Sequence, residues 1–300
     1  MASREAALAA EYQQARPRLV RVAYAVLGSH AEAEDVVSDC WLRLAAADAR
    51  EPVLDVEAWA TVTVARAALD ALLSARRRRE VYVGPWLPEP VVGLETVAGA
   101  GPPGPDPADR VTLDETLSYA MLVVLETLTP AERTAWVLHD VFGLPFPAVA
   151  EAVGRTPAAV RQLAARARAH ISARAPRVTV GTAEHGAAVT RFLEAAIGGD
   201  LAALVGALDP DVVLTSDGGG QVSAARRPVH GADRVARLLL GLIGRIPPGA
   251  DVQVISVNGA LGLGVVTDGR LTTVASLTTA SGRITRVDLV LAPGKLPALP

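Results

Sequence analysis

The sequence has almost no cysteine and almost no lysine. Among 300 residues there is one cysteine, Cys40, which allows neither an internal disulfide nor a cysteine-based metal site. The single lysine is Lys295, so arginine carries nearly all of the positive charge. We expect no metal site and no cofactor, and we interpret Cys40, next to Trp41 in a helical pattern, as a packed residue of a core.

Long hydrophobic runs are also missing. The most apolar stretch, residues 238–246, is much shorter than the about 20 residues that span a bilayer. The N-terminal region carries Arg4, Glu5 and Glu11 and has no apolar segment of the kind found in secretory signals. We therefore expect a soluble, cytoplasmic protein without membrane contacts, of about two domains by length.

The hydrophobic pattern changes three times along the chain. Residues 1–82 and 111–177 have apolar residues at helical spacing, and the proline- and glycine-rich segment 83–110 reads as a linker between them. Residues 178–300 begin with helices and continue with strands. These strands are separated by strong hairpin signals, Asn258-Gly259, Asp268-Gly269 and Ser281-Gly282. The predicted fold is two all-α domains followed by an α+β domain with a twisted antiparallel sheet.

A helix start is predicted at Thr129-Pro130, with threonine as the N-cap and proline at the first helical position. A capping box needs glutamate or glutamine at the third helical position. We assign that position to Arg133, so the sequence predicts a cap without a capping box.

Residues 147–173 contain a helix-turn-helix pattern, with the turn at 153–156. The formal net charge of the chain is -3, yet residues 144–177 hold six arginines and a single acid, Glu151. Arginine can contact phosphate or guanine, glutamine can pair with adenine, and the first residues of the second helix reach the base edges. The segment is therefore predicted to bind DNA. The alternative is an ordinary helical hairpin with a solvated arginine face.

Three segments resemble a known family. Residues 34–43, Glu-Asp-Val-Val-Ser-Asp-Cys-Trp-Leu-Arg, resemble the region 2 helix of extracytoplasmic-function (ECF) sigma factors of the sigma-70 type, and residues 128–168 resemble their region 4. Trp86-Leu87-Pro88-Glu89-Pro90 is similar to the signature of a subgroup with a SnoaL-like extension of the cone-shaped NTF2-like class. Asp217–Gly220, followed by Gln221 where lysine is common, and Asn258-Gly259 fit that subgroup, so the resemblance covers about residues 10–295.

The resemblance implies a sigma factor that binds core RNA polymerase, at the β′ clamp helices and the β flap, together with promoter DNA. Residues implied in polymerase docking are Glu34, Asp35, Asp39, Trp41 and Arg43. Residues implied at the −10 element are Trp59, Arg66, Arg76, Arg77, Arg78 and Arg79, although Ala71 and Leu73 stand where relatives often have arginine. Residues implied at the −35 element are Arg155, Thr156, Ala159, Arg161, Gln162 and Arg166.

For the C-terminal domain we expect regulation in cis rather than catalysis. The hypothesis is that its glycine-rich segment contacts the linker or region 2 and sets how far regions 2 and 4 can separate. The implicated residues are Trp86, Leu87, Pro88, Glu89, Pro90, Asp217, Gly218, Gly219, Gly220, Gln221, Asn258 and Gly259.

Several alternatives stay open at this point. Asp217 and His230 could form an acid–base pair in an apolar pocket, or the pocket could sense a small molecule. A plain repressor would bind duplex DNA without polymerase. The sequence does not identify a ligand or an anti-sigma partner.

Overall fold

A computed structural model describes residues 2–79, 82–93, 118–174 and 181–297, without the side chains of residues 2, 3, 77–79 and 174. The chain forms two compact units. The helical unit comprises Met1–Glu80 and Val124–Arg174, and the sheet unit comprises Val81–Val123 and Ala175–Pro300. The two predicted helical domains thus share one unit. The described part of the predicted linker belongs to the sheet unit, while residues 94–110 lie outside the described part of the chain.

The first half of the helical unit is a bundle of α1 (Ala2–Leu27), α2 (His30–Asp48) and α3 (Val56–Arg79). Leu19, Leu44 and Leu72 are fully buried where these helices meet. Ser29 caps α2, since its side chain accepts a hydrogen bond from the Glu32 amide. Residues 28 and 29 therefore form the junction between α1 and α2.

The second half contains α4 (Tyr119–Leu125), which begins in the sheet unit, and then α5 (Pro130–Trp136), α6 (Phe146–Val153) and α7 (Pro157–Arg174). A π-helical turn, Val137–Val141, extends α5. Helix α6 ends at Gly154, whose φ of 67° lies in the left-handed region that glycine adopts without a steric penalty. The helix-turn-helix predicted from the sequence is α6, this turn and α7. None of the described helices is long and apolar enough to cross a membrane.

The cap of α5 differs from the prediction. Because Pro130 is the first helical residue, the third is Glu132 and not Arg133. The Glu132 side chain accepts a hydrogen bond from the Thr129 amide at 3.2 Å, and Thr129 Oγ1 accepts one from the Glu132 amide at 3.3 Å. The prediction of an absent capping box was wrong by one residue, and Arg133 instead points into the interior.

The sheet unit has a seven-stranded sheet with the strand order β1-β4-β5-β6-β7-β2-β3. The strands are β1 (Val92–Gly93), β2 (Leu208–Asp217), β3 (Val229–His230), β4 (Asp251–Val257), β5 (Ala260–Thr267), β6 (Arg270–Ala280) and β7 (Arg283–Val290). Three helices, α8 (Thr182–Ile197), α9 (Leu201–Ala207) and α10 (Ala232–Ile243), bury a core against this sheet. The prediction of an α+β domain is confirmed.

The three predicted hairpins join β4 to β5, β5 to β6, and β6 to β7. The first residue of each turn, Asn258, Asp268 and Ser281, has φ near 50°, and the glycine that follows also has positive φ. Positive φ at both central residues is typical of the type I′ turns that match strand twist. The sheet is not wholly antiparallel, however. Strand β2 runs parallel to β7, a pairing that requires a long connection between the two strands.

The linker contributes to this sheet, which the sequence did not predict. Strand β1 pairs antiparallel with β4, with Val92 opposite Val257. A second apolar cluster contains Val274 and Val290, whereas their strand neighbours Ala275 and Leu289 belong to the core under the helices. Since successive strand residues face opposite sides, this cluster lies on the other face of the sheet. Leu87 of the linker is part of it.

We predict that Glu132→Gln lowers the stability of the protein at neutral pH. Burial raises the pKa of Glu132, but hydrogen bonds from Thr129 and Arg166 outweigh it, so the pKa lies below the ordinary value of 4.5. A carboxyl with a depressed pKa stabilises the folded state above its unfolded pKa, and this contribution is lost as the pH falls through the folded-state pKa. Urea unfolding of both proteins from pH 7 to pH 3 measures this. A difference that does not shrink at acidic pH would contradict the assignment.

Candidate functional site

The second helix of the helix-turn-helix, α7, has one buried and one exposed face. Val160, Ala164, Ala167 and Ile171 are buried at helical spacing. This packing turns most of the predicted −35 residues outward. Arg155, Thr156, Arg161, Gln162 and Arg166 are exposed, and Ala159 is half-buried.

Several of these side chains are positioned by neighbours within the helical unit. Thr156 caps α7 by accepting a hydrogen bond from the Ala159 amide at 3.2 Å. The Arg161 guanidinium lies 5.5 Å from the ring centre of Phe146, and Arg166 Nε donates to Glu132 Oε1 at 2.9 Å. The start of α7 therefore presents a preformed cationic and polar surface, as base readout requires.

The predicted −10 residues are placed differently. Trp59 is half-buried. Arg66 Nη2 donates to the carbonyl oxygen of Glu151 in α6 at 2.6 Å, and Arg76 Nη2 donates to the carbonyl oxygen of Leu128. The side chains of Arg77, Arg78 and Arg79 lie outside the described residues. Two of the arginines predicted to contact DNA thus bind main-chain carbonyls of region 4, one in α6 and one in the turn before α5.

The acidic helix α2 carries the predicted polymerase-docking residues. Asp35, Asp39 and Arg43 are exposed, and Glu34 is half-buried in an ion pair with Arg16. Trp41 is half-buried, with its ring 5.5 Å from that of Tyr12.

Sequence reasoning missed Leu42, which is 68% exposed and lies one helical turn from Asp39 on the same face. A signal existed, because Leu42 is out of phase with the buried Val37, Cys40 and Leu44 of the same helix. An exposed leucine beside charged side chains is the composition expected of a docking surface.

The C-terminal candidate site is centred on Asp217, at the end of β2. The residue is fully buried, and its carboxylate accepts hydrogen bonds from four donors. These are the Tyr82 hydroxyl at 2.5 Å, the Leu87 amide at 2.8 Å, the Gly219 amide at 3.0 Å and Lys295 Nζ at 2.6 Å. A buried charge is tolerated when it is paired and hydrogen-bonded in this way. Of these donors, Leu87 belongs to the linker and Tyr82 immediately precedes it.

The Trp86–Pro90 segment is held through the main-chain groups of Leu87 and Pro88. The Leu87 carbonyl accepts a hydrogen bond from Lys295 Nζ at 2.6 Å, and the Pro88 carbonyl accepts one from the Tyr119 hydroxyl at 2.8 Å. The Leu87 side chain is 1% exposed in the second apolar cluster. Proline has no amide donor, so the two prolines can be buried without leaving a polar group unpaired.

Lys295 completes the site and was not identified from the sequence. Besides its bonds to Asp217 and Leu87, its ammonium lies 3.9 Å from the ring centre of Trp86 and 5.2 Å from that of Tyr82. Cation–π contacts of this kind strengthen when they are shielded from water. The sequence did carry a signal, because Lys295 is the only lysine in the chain.

The glycines after Asp217 make room for this arrangement. A Cβ atom on Gly218 would lie 2.2 Å from the carbonyl oxygen of Val222. One on Gly219, which has φ of 65°, would lie 3.0 Å from the Cβ atom of Ala292 and 3.7 Å from the Tyr82 hydroxyl. Gly220 faces Val83 of the linker. Gln221 is exposed, and its amide bonds to the Gly218 carbonyl.

A second anchor holds the far end of the segment. Asn258, in the turn with Gly259, accepts a hydrogen bond from the Val91 amide through Oδ1 at 3.1 Å and donates its own amide to the Val91 carbonyl at 2.8 Å. Glu89, between the two anchors, is half-buried. The structure therefore brings together the linker signature, the Asp217 segment and the Asn258 turn, whereas Gln221 is exposed.

Asp217 and His230 are not arranged as an acid–base pair. His230 is exposed and pairs with Val213, four residues from Asp217, or roughly 13 Å along the strand. The Asp217 carboxylate is also fully engaged by the linker and Lys295.

The helical unit is thus that of a DNA-binding protein with a helix-turn-helix. Comparison with known proteins is consistent with this class. The family model of Sigma-70 region 2 matches residues 12–78, and that of Sigma-70, region 4 matches residues 119–171. The ECF RNA polymerase sigma factor SigJ of Mycobacterium tuberculosis is 43% identical over 257 residues, which cover 84% of this chain and 79% of the relative.

Two further relatives agree. The probable ECF RNA polymerase sigma factor SigI of Mycobacterium tuberculosis is 33% identical over 296 residues, 97% of this chain and 96% of the relative. The crystal structure of Mycobacterium tuberculosis SigJ matches with a TM-score of 0.75 at 36% identity, over 97% of this chain and 100% of that one. The chain belongs to the ECF RNA polymerase sigma factors, as the sequence predicted.

We predict that Asp217→Ala releases the linker without unfolding the sheet unit. The Leu87 amide loses its acceptor, so its hydrogen exchange should accelerate at least about tenfold. Amide exchange measured by mass spectrometry over residues 82–93 tests this. Asp233→Ala is the matched control, since Asp233 is an exposed carboxylate paired with Arg237 on α10. Unchanged exchange at Leu87 in Asp217→Ala would contradict the assignment.

Proposed function

We propose that this sigma factor directs promoter-specific transcription initiation and that its sheet unit regulates it in cis through the linker. The observation that carries the first part is the exposed polar face at the start of α7, in a chain that has both sigma regions. The second part is supported by the hydrogen bonds that hold the linker on Asp217.

For the polymerase contacts, we propose that α2 docks on the β′ clamp helices through Asp35, Asp39, Leu42 and Arg43. All four are exposed. Charged groups around an apolar contact favour fast, oriented association. We assign the β flap to region 4, as the family resemblance implies.

For DNA, we propose that Arg155, Thr156, Arg161 and Gln162 read the −35 element in the major groove. They surround the N-terminal end of α7, the end from which recognition helices contact bases. Arg166 has its Nε committed to Glu132, so its contribution is restricted to its remaining donors. The −10 element is assigned to α3, with Arg66 and Arg76 as phosphate contacts.

We infer regulation in cis from the position of the anchored segment, which lies between region 2 and region 4. The docked segment begins at Tyr82, about three residues after the end of α3, and Tyr119 of α4 is also bonded to it. The end of region 2 and the start of region 4 are therefore both tied to the sheet unit by short tethers. Release of the linker from Asp217 would lengthen the free tether and allow the two regions to separate.

We further propose that the sheet unit is not catalytic. The carboxylate that could serve as an acid or base accepts hydrogen bonds from four donors, among them the Tyr82 hydroxyl and the Leu87 amide. General acid–base catalysis needs a group that can reach the substrate proton. Asp217 meets that requirement only after the linker has left.

The test of the proposed function is run-off transcription with the purified full-length protein and core RNA polymerase. Templates selected from a random promoter library would supply the unknown recognition sequence. Core-dependent transcripts from defined start sites are expected. If the protein neither binds core polymerase nor yields such transcripts, the proposal fails.

We predict that Arg161→Ala weakens recognition of the −35 element. Losing one base-reading arginine costs about 1–3 kcal/mol and relaxes specificity at one position. Binding of the holoenzyme to promoter variants at each −35 base pair would measure both effects. Arg234→Ala, at an exposed arginine in the sheet unit, is the matched control. A uniform loss over all sequences would show that Arg161 contacts phosphate only.

We predict that Lys295→Met changes promoter-specific transcription in the full-length protein. Methionine keeps most of the aliphatic length but removes the charge that bonds Asp217 and Leu87 and stacks on Trp86. Run-off transcription at equal holoenzyme concentration measures the effect, and the thermal unfolding curve checks the fold. Transcription equal to wild type, with the Leu87 amide demonstrably released, would contradict regulation through the linker.

A further inference from the structure

An aromatic ring holds the guanidinium group of Arg161 on the helix α7. The guanidinium carbon lies 5.5 Å from the centre of the Phe146 ring, which is within the range of a cation–π contact. Phe146 is the first residue of α6 and is half-buried, whereas Arg161 is exposed. The contact therefore joins the two helices of the helix-turn-helix near the end of α7 that we propose reads the −35 element.

A second ring supports Phe146. The His139 imidazole is stacked on the Phe146 ring, with 3.9 Å between the ring centres and 27° between the ring planes. His139 Nδ1 lies 2.9 Å from the carbonyl oxygen of Leu144. Because a carbonyl oxygen can only accept a hydrogen bond, we assign the proton to Nδ1. The imidazole is thus fixed at one edge by the main chain while its face packs on Phe146.

The π-helical turn Val137–Val141 carries His139 at its centre. Such turns are rare in helices and occur frequently at functional sites. The same turn carries Asp140, whose carboxylate accepts a hydrogen bond from Arg168 Nε at 2.5 Å. One short segment therefore positions two arginines of α7, Arg168 through an ion pair and Arg161 through two stacked rings.

Three arginines of α7 differ in what their contacts use. Arg166 donates its Nε–H to Glu132, and Arg168 donates its Nε–H to Asp140. A cation–π contact depends on the charge of the guanidinium and the face of the ring, so it does not require any of the five N–H donors of an arginine. Arg161 can therefore be held in place and still present two parallel donors to a base edge.

Holding Arg161 before DNA arrives lowers the cost of recognition. An exposed arginine samples many rotamers, and ordering it on binding reduces the affinity. A guanidinium that already lies on a ring has lost part of this freedom in the free protein. The contact also fixes a direction, and a two-donor contact distinguishes bases only when both donors reach the base edge. The rings should therefore affect discrimination between bases more than overall affinity for DNA.

We propose that Phe146 and His139 are positioning residues for base recognition by Arg161. The side chains of these three residues are called the region 4 stack. Phe146 aligns the guanidinium on its ring face, and His139, anchored on the Leu144 carbonyl, keeps the Phe146 ring in place. The inference rests on the proposed reading of the −35 element by Arg161, and it adds the residues on which that reading depends.

Substitution of Phe146 in the full-length protein, assembled with core RNA polymerase, tests the region 4 stack. Phe146→Leu keeps an apolar side chain but removes the ring. It should reduce the preference for the base pair that Arg161 reads by about two- to fivefold. The preference is the ratio of holoenzyme affinities for a selected promoter and for its single-base −35 variants. Phe146→Tyr keeps the ring face and should restore the preference.

The matched control is Phe142→Leu, which removes a second phenylalanine ring from region 4 at a buried position. This substitution should lower the thermal unfolding temperature without changing the preference for any −35 base pair. Equal loss of preference in Phe142→Leu and Phe146→Leu would overturn the inference, because it would show a general loosening of region 4.

A double-mutant cycle separates positioning from a structural role. If Phe146 acts through Arg161, Phe146→Leu should have no further effect on the preference once Arg161→Ala is present. A structural role predicts instead that the two substitutions lower the affinity for every promoter variant and that their effects add. Additive effects would overturn the inference.

His139→Gln tests the second ring. Glutamine keeps a donor for the Leu144 carbonyl but has no ring to stack on Phe146. We expect a loss of preference at the same base pair, smaller than that of Phe146→Leu because His139 acts one ring further away. An unchanged preference in His139→Gln would overturn the role assigned to His139.

The outcomes separate the inference from the function on which it rests. If Arg161→Ala removes the preference at one −35 base pair and Phe146→Leu leaves it intact, the region 4 stack is overturned and the proposed function stands. If Arg161→Ala changes no preference, the reading assigned to Arg161 fails together with the stack. A holoenzyme that binds no promoter specifically would overturn the sigma function itself.

Discussion

The position of the linker on the sheet depends on the hydrogen bonds of one buried carboxylate, that of Asp217. It accepts four hydrogen bonds, and the donors come from the linker, from the glycine turn and from Lys295. A buried charge cannot be left with fewer partners without a large desolvation penalty. The glycine turn, Lys295 and Tyr82 are therefore needed together, because each supplies a hydrogen-bond donor to the carboxylate. Loss of one donor is expected to destabilise the whole contact.

The linker is anchored by complementary means at its two ends. At Leu87, charge-assisted bonds combine with a buried apolar side chain, and at Val91 the Asn258 turn satisfies both backbone groups. In the helical unit, arginines bind helix-end carbonyls, which are weaker acceptors than carboxylates. The chain thus holds the linker through a buried carboxylate and joins the two sigma regions through main-chain carbonyls.

Much of the fold could be predicted from the sequence wherever the signal lies in residues that are neighbours along the chain. Helix spacing, the three type I′ hairpins, the helix-turn-helix and the family segments all depend on neighbouring residues, and they match the structure. What was missed depends on residues far apart in the chain. The parallel pairing of β2 with β7, the linker strand β1 and the burial of Arg133 leave no periodic trace, and Lys295 gains its role only from Trp86 and Asp217, some 209 and 78 residues away.

The most direct test of the account is hydrogen exchange at the Leu87 amide of the full-length protein, measured free and in a complex with core RNA polymerase and promoter DNA. We predict strong protection in the free protein, where Asp217 accepts a hydrogen bond from this amide, and loss of that protection in the initiation complex. An initiation complex in which Leu87 keeps the protection of the free protein would contradict it, because regions 2 and 4 would then reach the promoter with the linker still in place.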